Sequence, residues 1–230
     1  VTLSEIHFWR DPEFHCAARQ MALDEALFHW SATTGLAAAR FYHWESPAVT
    51  VGYFHRPGPG DLSLPVGTVR RFTGGGLVEH GEDLTFVLTL PAGSEAARAA
   101  GSARYRWIHE ALAGALAATG LPVALEPPHL SASPGPCFRH PVPWDLRDPQ
   151  SGTKIGGGAQ RRSRGAVIHQ GSVRLPAEPR DPRAEWIGDF LRRLSRRQTA
   201  LDAAGRETVT CDAVNRETDR YGSTEWNRAG

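Results

Sequence analysis

Arg70-Arg71-Phe72-Thr73-Gly74-Gly75-Gly76-Leu77-Val78-Glu79-His80-Gly81 sets three consecutive glycines between two apolar segments. Such a run is entropically costly, and it belongs where the backbone must turn sharply or touch a ligand with no Cβ in the way. Exposed N–H groups beside Arg70 and Arg71 suit a phosphate or an acyl carbonyl. The pattern is neither a G-x-G-x-x-G opening a helix nor a phosphate loop ending in G-K-[ST], and a hairpin turn flanked by surface cations accounts for the same letters. Its surroundings read as short strands: Ala39 to Trp44, Ala48 to Phe54, Val66 to Phe72 and Asp83 to Leu90. Ser46-Pro47, Pro57-Gly58-Pro59-Gly60 and the glycine run punctuate them.

Working outward, an apolar stretch from Ile6 to Trp9 precedes a helical pattern from about Cys16 to Trp30. There Leu23, Leu27 and Trp30 share a face and Arg19, Asp24 and Glu25 lie elsewhere on the wheel. An alanine-rich helix is expected over Ala96 to Thr119, stopped by Gly120. A strand over Val123 to Glu126 leads into a Pro/Ser-rich connection ending at Cys137. Strands at Thr153 to Gly157 and Ala166 to Leu175 flank a basic turn, Arg161 to Gly165, and a helix follows over Ala184 to Arg197. Strands and helices intersperse without regular alternation, which predicts an α/β (α+β) fold: a mixed, largely antiparallel sheet with packed helices. Residues 1–200 read as one domain, and 201–230 as a C-terminal strap or partly disordered tail.

Composition narrows the class. The 230 residues carry 26 basic and 25 acidic side chains, so neither a nucleic-acid coat nor a polybasic membrane anchor is expected. With 40% hydrophobic residues the chain can bury a core. Apolar runs such as Phe86 to Leu90 are far shorter than the roughly 20 residues of a membrane span. No basic-then-apolar leader opens the sequence, and a cytoplasmic protein is expected. Three scattered cysteines, Cys16, Cys137 and Cys211, suit neither a disulfide framework nor a closed zinc site, leaving free-thiol chemistry. Of the 26 basic residues 25 are arginine, and Lys154 is the only lysine. An ammonium differs from a planar guanidinium in reach and hydration, so composition leaves two readings of Lys154: a place where the fork does not serve, or a chance survivor on a solvated loop.

That lysine opens a second glycine cluster, Lys154-Ile155-Gly156-Gly157-Gly158-Ala159-Gln160, and the two clusters suit either two walls of one slot or two unrelated turns. Together with His169-Gln170-Gly171-Ser172, Met21-Ala22-Leu23-Asp24-Glu25, Val51-Gly52-Tyr53 and the Tyr221 to Trp226 ending, these motifs resemble, in order, the lipoate-protein ligase and octanoyltransferase superfamily. That superfamily shares its catalytic fold with biotin protein ligases. The resemblance implies an acyl slot bounded by Arg70, Arg71, Thr73, Gly74, Gly75, Gly76 and His80 on one side. Gly157, Gly158, Ala159, His169 and Gly171 bound the other, and Lys154 hydrogen-bonds the acyl carbonyl.

Two branches of the superfamily differ in chemistry. Ligases use ATP and Mg²⁺ to form an acyl-adenylate. Transferases take an octanoyl group from acyl carrier protein through a cysteine, need no cofactor, and deliver it to a lipoyl domain of a 2-oxoacid dehydrogenase or to the glycine cleavage H protein. Cys137-Phe138 stands where the cysteine-dependent octanoyltransferases carry a Cys-Phe pair, which makes Cys137 the expected nucleophile. A non-catalytic acyl- or carrier-binding module is the remaining alternative. His80 and His169 are candidate bases or orienting groups. Gly81-Glu82-Asp83 replaces the Asp and Asn that often follow this histidine in ligases.

Overall fold

The computed structural model describes residues 1–56, 65, 67–128, 141–175 and 185–228. The apolar opening becomes strand β1 (Leu3–Arg10), followed by helix α1 (Ala17–Thr34), which ends on Gly35 in the left-handed conformation. Then come β2 (Ala38–Tyr42), β3 (Ala48–Val51), β4 (Val69–Arg70), β5 (Val78–His80) and β6 (Leu84–Leu90). Helices α2 (Glu95–Arg98) and α3 (Gly101–Ala117) lead to β7 (Ala124–Leu125), β8 (Leu146–Arg147) and the hairpin β9 (Lys154–Ser163) and β10 (Ala166–Val173). Helix α4 (Glu185–Leu194), β11 (Ser195–Ala200), α5 (Ala203–Arg216), a π-helical turn (Glu217–Tyr221) and α6 (Thr224–Arg228) complete the order.

Eight strands form one sheet in the order β11-β1-β2-β6-β10-β9-β8-β7. β1 runs parallel to β2 and β11, and every other neighbouring pair is antiparallel, so the mixed, largely antiparallel α/β architecture holds. A smaller sheet, β4-β3-β5, carries the segments around the glycine run. Strand alternation divides the large sheet's two faces. Phe41, Phe86, Leu88 and Val167 face α3 and α4, whereas Tyr42, Val87 and Ile168 face α1 and α5.

The expected long alanine-rich helix is two helices. Ser94 caps α2 by accepting from the Ala97 N–H, and the chain is extended at Ala99 and Ala100 before α3 begins. The freed Ala99 carbonyl accepts from Arg104 (2.8 Å), an option that local propensity does not reveal. The basic segment 161–163 continues β9 rather than forming the turn. The turn is Arg164-Gly165 alone, at φ 49° and 83°, the left-handed pair that a two-residue hairpin requires. Helix α4 stops at Leu194, and residues 195–200 run instead as an edge strand, β11, parallel to β1.

The polar tail, expected as a strap or a partly disordered end, is largely helical over residues 203–228 and lies on α1. Between the sheet and this tail α1 is buried almost all round: Asp24, which the wheel set apart from the apolar face, meets the sheet, and Glu25 meets the tail. Glu25 accepts from the Tyr221 hydroxyl (2.7 Å) and pairs with Arg216 (3.2 Å) and Arg220. Burial pushes the Glu25 carboxyl up, but hydrogen bonds from His29, Tyr221 and Arg220 outweigh it and hold the group at about 2. A carboxyl held below its unfolded value of 4.5 stabilises the fold fully above that pH and loses its effect as pH falls toward 2. Glu25→Gln is therefore expected to cost about 2 to 3 kcal/mol at neutral pH and to flatten the acid limb of a thermal-melting series between pH 4.5 and 2. A melting temperature equal to wild type at pH 7 would show that the tail is held by its apolar contacts alone.

Candidate active site

The two glycine clusters meet. A cavity of about 170 Å³ lies between the large sheet and the small one, lined by Arg71, Gly75, Gly76 and His80 on one side and by Lys154, Gly157, Gly158 and Ala159 on the other. Met21, Trp44 and Val78 add apolar surface. Past Gly75, Val142, Gly158 and Ala159 the slot adjoins a wider cavity of about 530 Å³, bounded by Pro128, Trp144 and the start of α3.

Lys154 reaches this space as an ion pair. Its Nζ lies 2.7 Å from Asp145 Oδ2, with the lysine side chain 7% exposed and the aspartate fully buried. The same carboxylate accepts from the Val142 N–H (2.7 Å) and, through Oδ1, from the Tyr105 hydroxyl (2.5 Å). A Cβ at Gly157 would come within 2.9 Å of Lys154 Nζ, so glycine there leaves room for the ammonium beside the strand.

On the facing wall Arg71 works from inside the glycine loop. Its guanidinium donates to the carbonyls of Gly74 (2.7 Å) and Gly76 (2.9 Å) and to Thr50 Oγ1 (3.2 Å). His80 is held at both ring nitrogens, Nδ1 by Asp83 (2.7 Å) and Nε2 by Thr50 Oγ1 (2.9 Å), and it stacks on Trp44 at 4.0 Å. Burial pushes the Asp83 carboxyl up, yet the His80 ring, Ser172 and the Gly81 N–H hold it well below the usual range.

Several expected site residues lie elsewhere. Arg70 does not line the slot. It is buried and donates to the carbonyls of Gly52, Tyr53, His55 and Trp226, binding the loop after β3 to α6. Thr73 is also buried, its hydroxyl given to Gln170 (2.7 Å), and Gly74 lines only the wider cavity. His169 points away from the slot, because on β10 it registers with Leu88 on the face toward α3 and α4. Burial, together with His109 and Arg104, holds its ring well below the ordinary histidine range, so it is neutral and a packing residue. Gly158 and Gly171 line the slot through their backbones. Their missing side chains make room on the opposite face, for His169 Nε2 (2.5 Å from a Gly158 Cβ) and the Phe86 ring (2.3 Å from a Gly171 Cβ).

Cys137 lies outside the described residues. Cys16 and Cys211 are free and exposed. Among the described residues no three of His, Cys, Asp and Glu gather as a metal site, and no helix is long and apolar enough to cross a membrane.

Asp145 and Tyr105 join these walls with no motif in the sequence to mark them, and Gln170 joins them beside the expected His169. Only the two-residue period of β10 could have pointed to Gln170 over His169. At Gly52 a Cβ would stand 1.9 Å from the Gly75 carbonyl oxygen. A Cβ at Gly74 meets nothing nearer than 4.0 Å, whereas Gly75 sits at φ 89° and its Cβ would meet Arg71 at 2.7 Å. Gly52→Ala is thus expected to force the glycine loop off β3, with loss of several kcal/mol in melting and of slot binding, while Gly74→Ala stays within about 1 kcal/mol of wild type. Equal melting temperatures for the two variants would refute this loop packing.

Residues 16–212 match the family described as the lipoyl protein ligase A/B catalytic domain. Proteins named octanoyltransferase LipM from Oceanobacillus iheyensis and Bacillus cereus are each 33% identical over 69% of this chain. The matches span 60% and 61% of those relatives' own lengths. Protein Ta0514 of T. acidophilum, solved with bound lipoic acid, superposes over 100% of this chain and 98% of its own with a TM-score of 0.72 at 20% identity, a likeness of fold. The order of the motifs, the facing glycine walls and the lysine between them agree with these matches, and the chain belongs to the lipoyl protein ligase A/B catalytic domain family.

Proposed function

We propose that this chain transfers a medium-chain acyl group, octanoyl or lipoyl, from acyl carrier protein to the lysine of a lipoyl domain or of the glycine cleavage H protein. The observation that carries the reading is the single lysine, held by Asp145 in the wall of a narrow slot whose sides are glycine backbone and apolar side chains. Such a slot accepts an extended alkyl chain, and the backbone can approach it closely where no Cβ intervenes. The likeness to the octanoyltransferases supports the transfer reaction.

In this mechanism the Cys137 thiolate attacks the donor's thioester carbonyl, and the carrier thiol leaves. The acceptor's ε-amine then attacks the cysteinyl thioester, forming an amide and returning the thiol. Cys137 stands five positions before Val142, which lines the slot. Lys154 supplies a positive donor to the oxygen on which charge develops. No nucleotide is needed, because the donor arrives activated.

Incubated with octanoyl-carrier and no ATP, the intact protein is expected to gain one octanoyl group, and Cys137→Ser to form no thioester. Acylation that requires ATP and Mg²⁺ would establish the ligase reading instead, and binding without acylation the non-catalytic one. Lys154→Arg is expected to keep the charge but lose about a hundredfold in transfer rate, the usual cost of a displaced oxyanion donor. Near wild-type turnover would remove Lys154 from the chemistry.

A further inference from the structure

Behind the slot wall, on the α3 side of the large sheet, lies a polar group that the proposed chemistry does not use. Tyr105 and His109 stand one turn apart on α3, their rings 3.9 Å between centroids, and His169 packs against both at 5.6 and 5.3 Å. The histidines fix where the tyrosine sits. Arg104 can only donate, so its bond to Gln160 Oε1 (3.0 Å) turns the Gln160 amide NH₂ toward His169 Nδ1 (3.2 Å). His109 Nδ1 donates to the Trp144 carbonyl (2.8 Å), and burial lowers this ring to about 4 against the pull of Asp145, so it too is neutral. Trp144 holds a positive φ of 72°, uncommon for a bulky residue, and the next residue is Asp145.

The Tyr105 hydroxyl stands between β9 and the aspartate. It accepts from the Gly158 N–H (2.9 Å) and donates to Asp145 Oδ1 (2.5 Å), whose other oxygen takes the Val142 N–H and Lys154 Nζ. A carboxylate rotates about its last bond unless both oxygens are held. Val142 and Lys154 hold one oxygen, and the hydroxyl holds the other. We propose that Tyr105 is the positioning residue for Lys154, acting through Asp145: its hydroxyl sets the carboxylate plane and so the point in the slot where the ammonium is presented. This role extends the transfer reading above, but the arrangement itself can be tested without any transfer.

Because Lys154 is the only lysine, feeding ¹³C,¹⁵N-lysine labels one side chain. Tyr105→Phe retains the ring that packs on His109 and removes only the hydroxyl. The expected result is a displaced or broadened Lys154 side-chain resonance, with the Gly158 amide moved by loss of its acceptor and the backbone spectrum otherwise like wild type. Asp145→Asn should move the same resonance, and adding Tyr105→Phe to it should move it no further. In octanoyl transfer, Tyr105→Phe should lower kcat about tenfold with KM for the acyl donor within about twofold, as expected for loss of a charge-assisted bond that orients rather than binds. A Lys154 resonance unchanged by Tyr105→Phe, or shifted equally in the Asp145→Asn background, overturns the proposal. A moved resonance in a protein that transfers no octanoyl group would uphold the positioning role and refute the transfer reading.

Discussion

A relay of buried polar groups, Arg40 to Asp24 to Gln170 to Thr73, joins the parts that make the slot. Arg40 is fully buried, paired with Asp11 at 2.7 Å and with Asp24 Oδ1 at 3.0 Å. Buried charge without a partner costs several kcal/mol, so α1 and β2 are bound to this one arrangement. Burial pushes the Asp24 carboxyl up while Arg40 pulls against it, and Oδ2 accepts from Tyr42 (2.9 Å) and from Gln170 Nε2 (2.7 Å). With its NH₂ committed to Asp24, the Gln170 amide turns its oxygen to the Thr73 hydroxyl, at the head of the glycine run. One amide thereby carries register from the first helix, through the central strand, to the loop that closes the slot.

Slot width follows from backbone meeting backbone. Gly52 lies so close to the Gly75 carbonyl that no side chain fits between, and Arg71 fills the loop's interior with hydrogen bonds to its carbonyls. The opposite wall is thin as well, because β9 carries glycines whose absent side chains serve both faces: Gly157 for Lys154, Gly158 for His169. Slot-facing backbone and core-facing packing are thus two sides of the same peptide units. The β9 glycines satisfy both demands, and a side chain there would disturb the packing and the slot together.

The tail shows the same dependence on contact. Its residues have weak periodicity, and they become helical because α1 offers a buried carboxylate, Glu25, to Arg216, Arg220 and Tyr221. Helices of this length gain most of their stability from packing, which local pattern cannot report. β11 is similar, as Arg196 and Arg197 read as the end of a helix until β1 supplies a parallel partner.

By itself the sequence determined the class of fold, the two glycine clusters and the singular place of Lys154 in the composition. These are written in composition and short-range spacing: where no Cβ is tolerated, and where one ammonium survives among guanidinium groups. Tertiary structure alone decided which residues of each motif face the slot. Alternation along β10 sent His169 into the layer under α3 and α4 and Gln170 toward Asp24, and the fold turned Arg70 from a candidate ligand contact into a clamp on the loop after β3. It also brought Asp145 and Tyr105, 40 positions apart, to one lysine. Side-chain direction and long-range pairing depend on register between distant segments, and register is set by the packed whole rather than by neighbours in the chain.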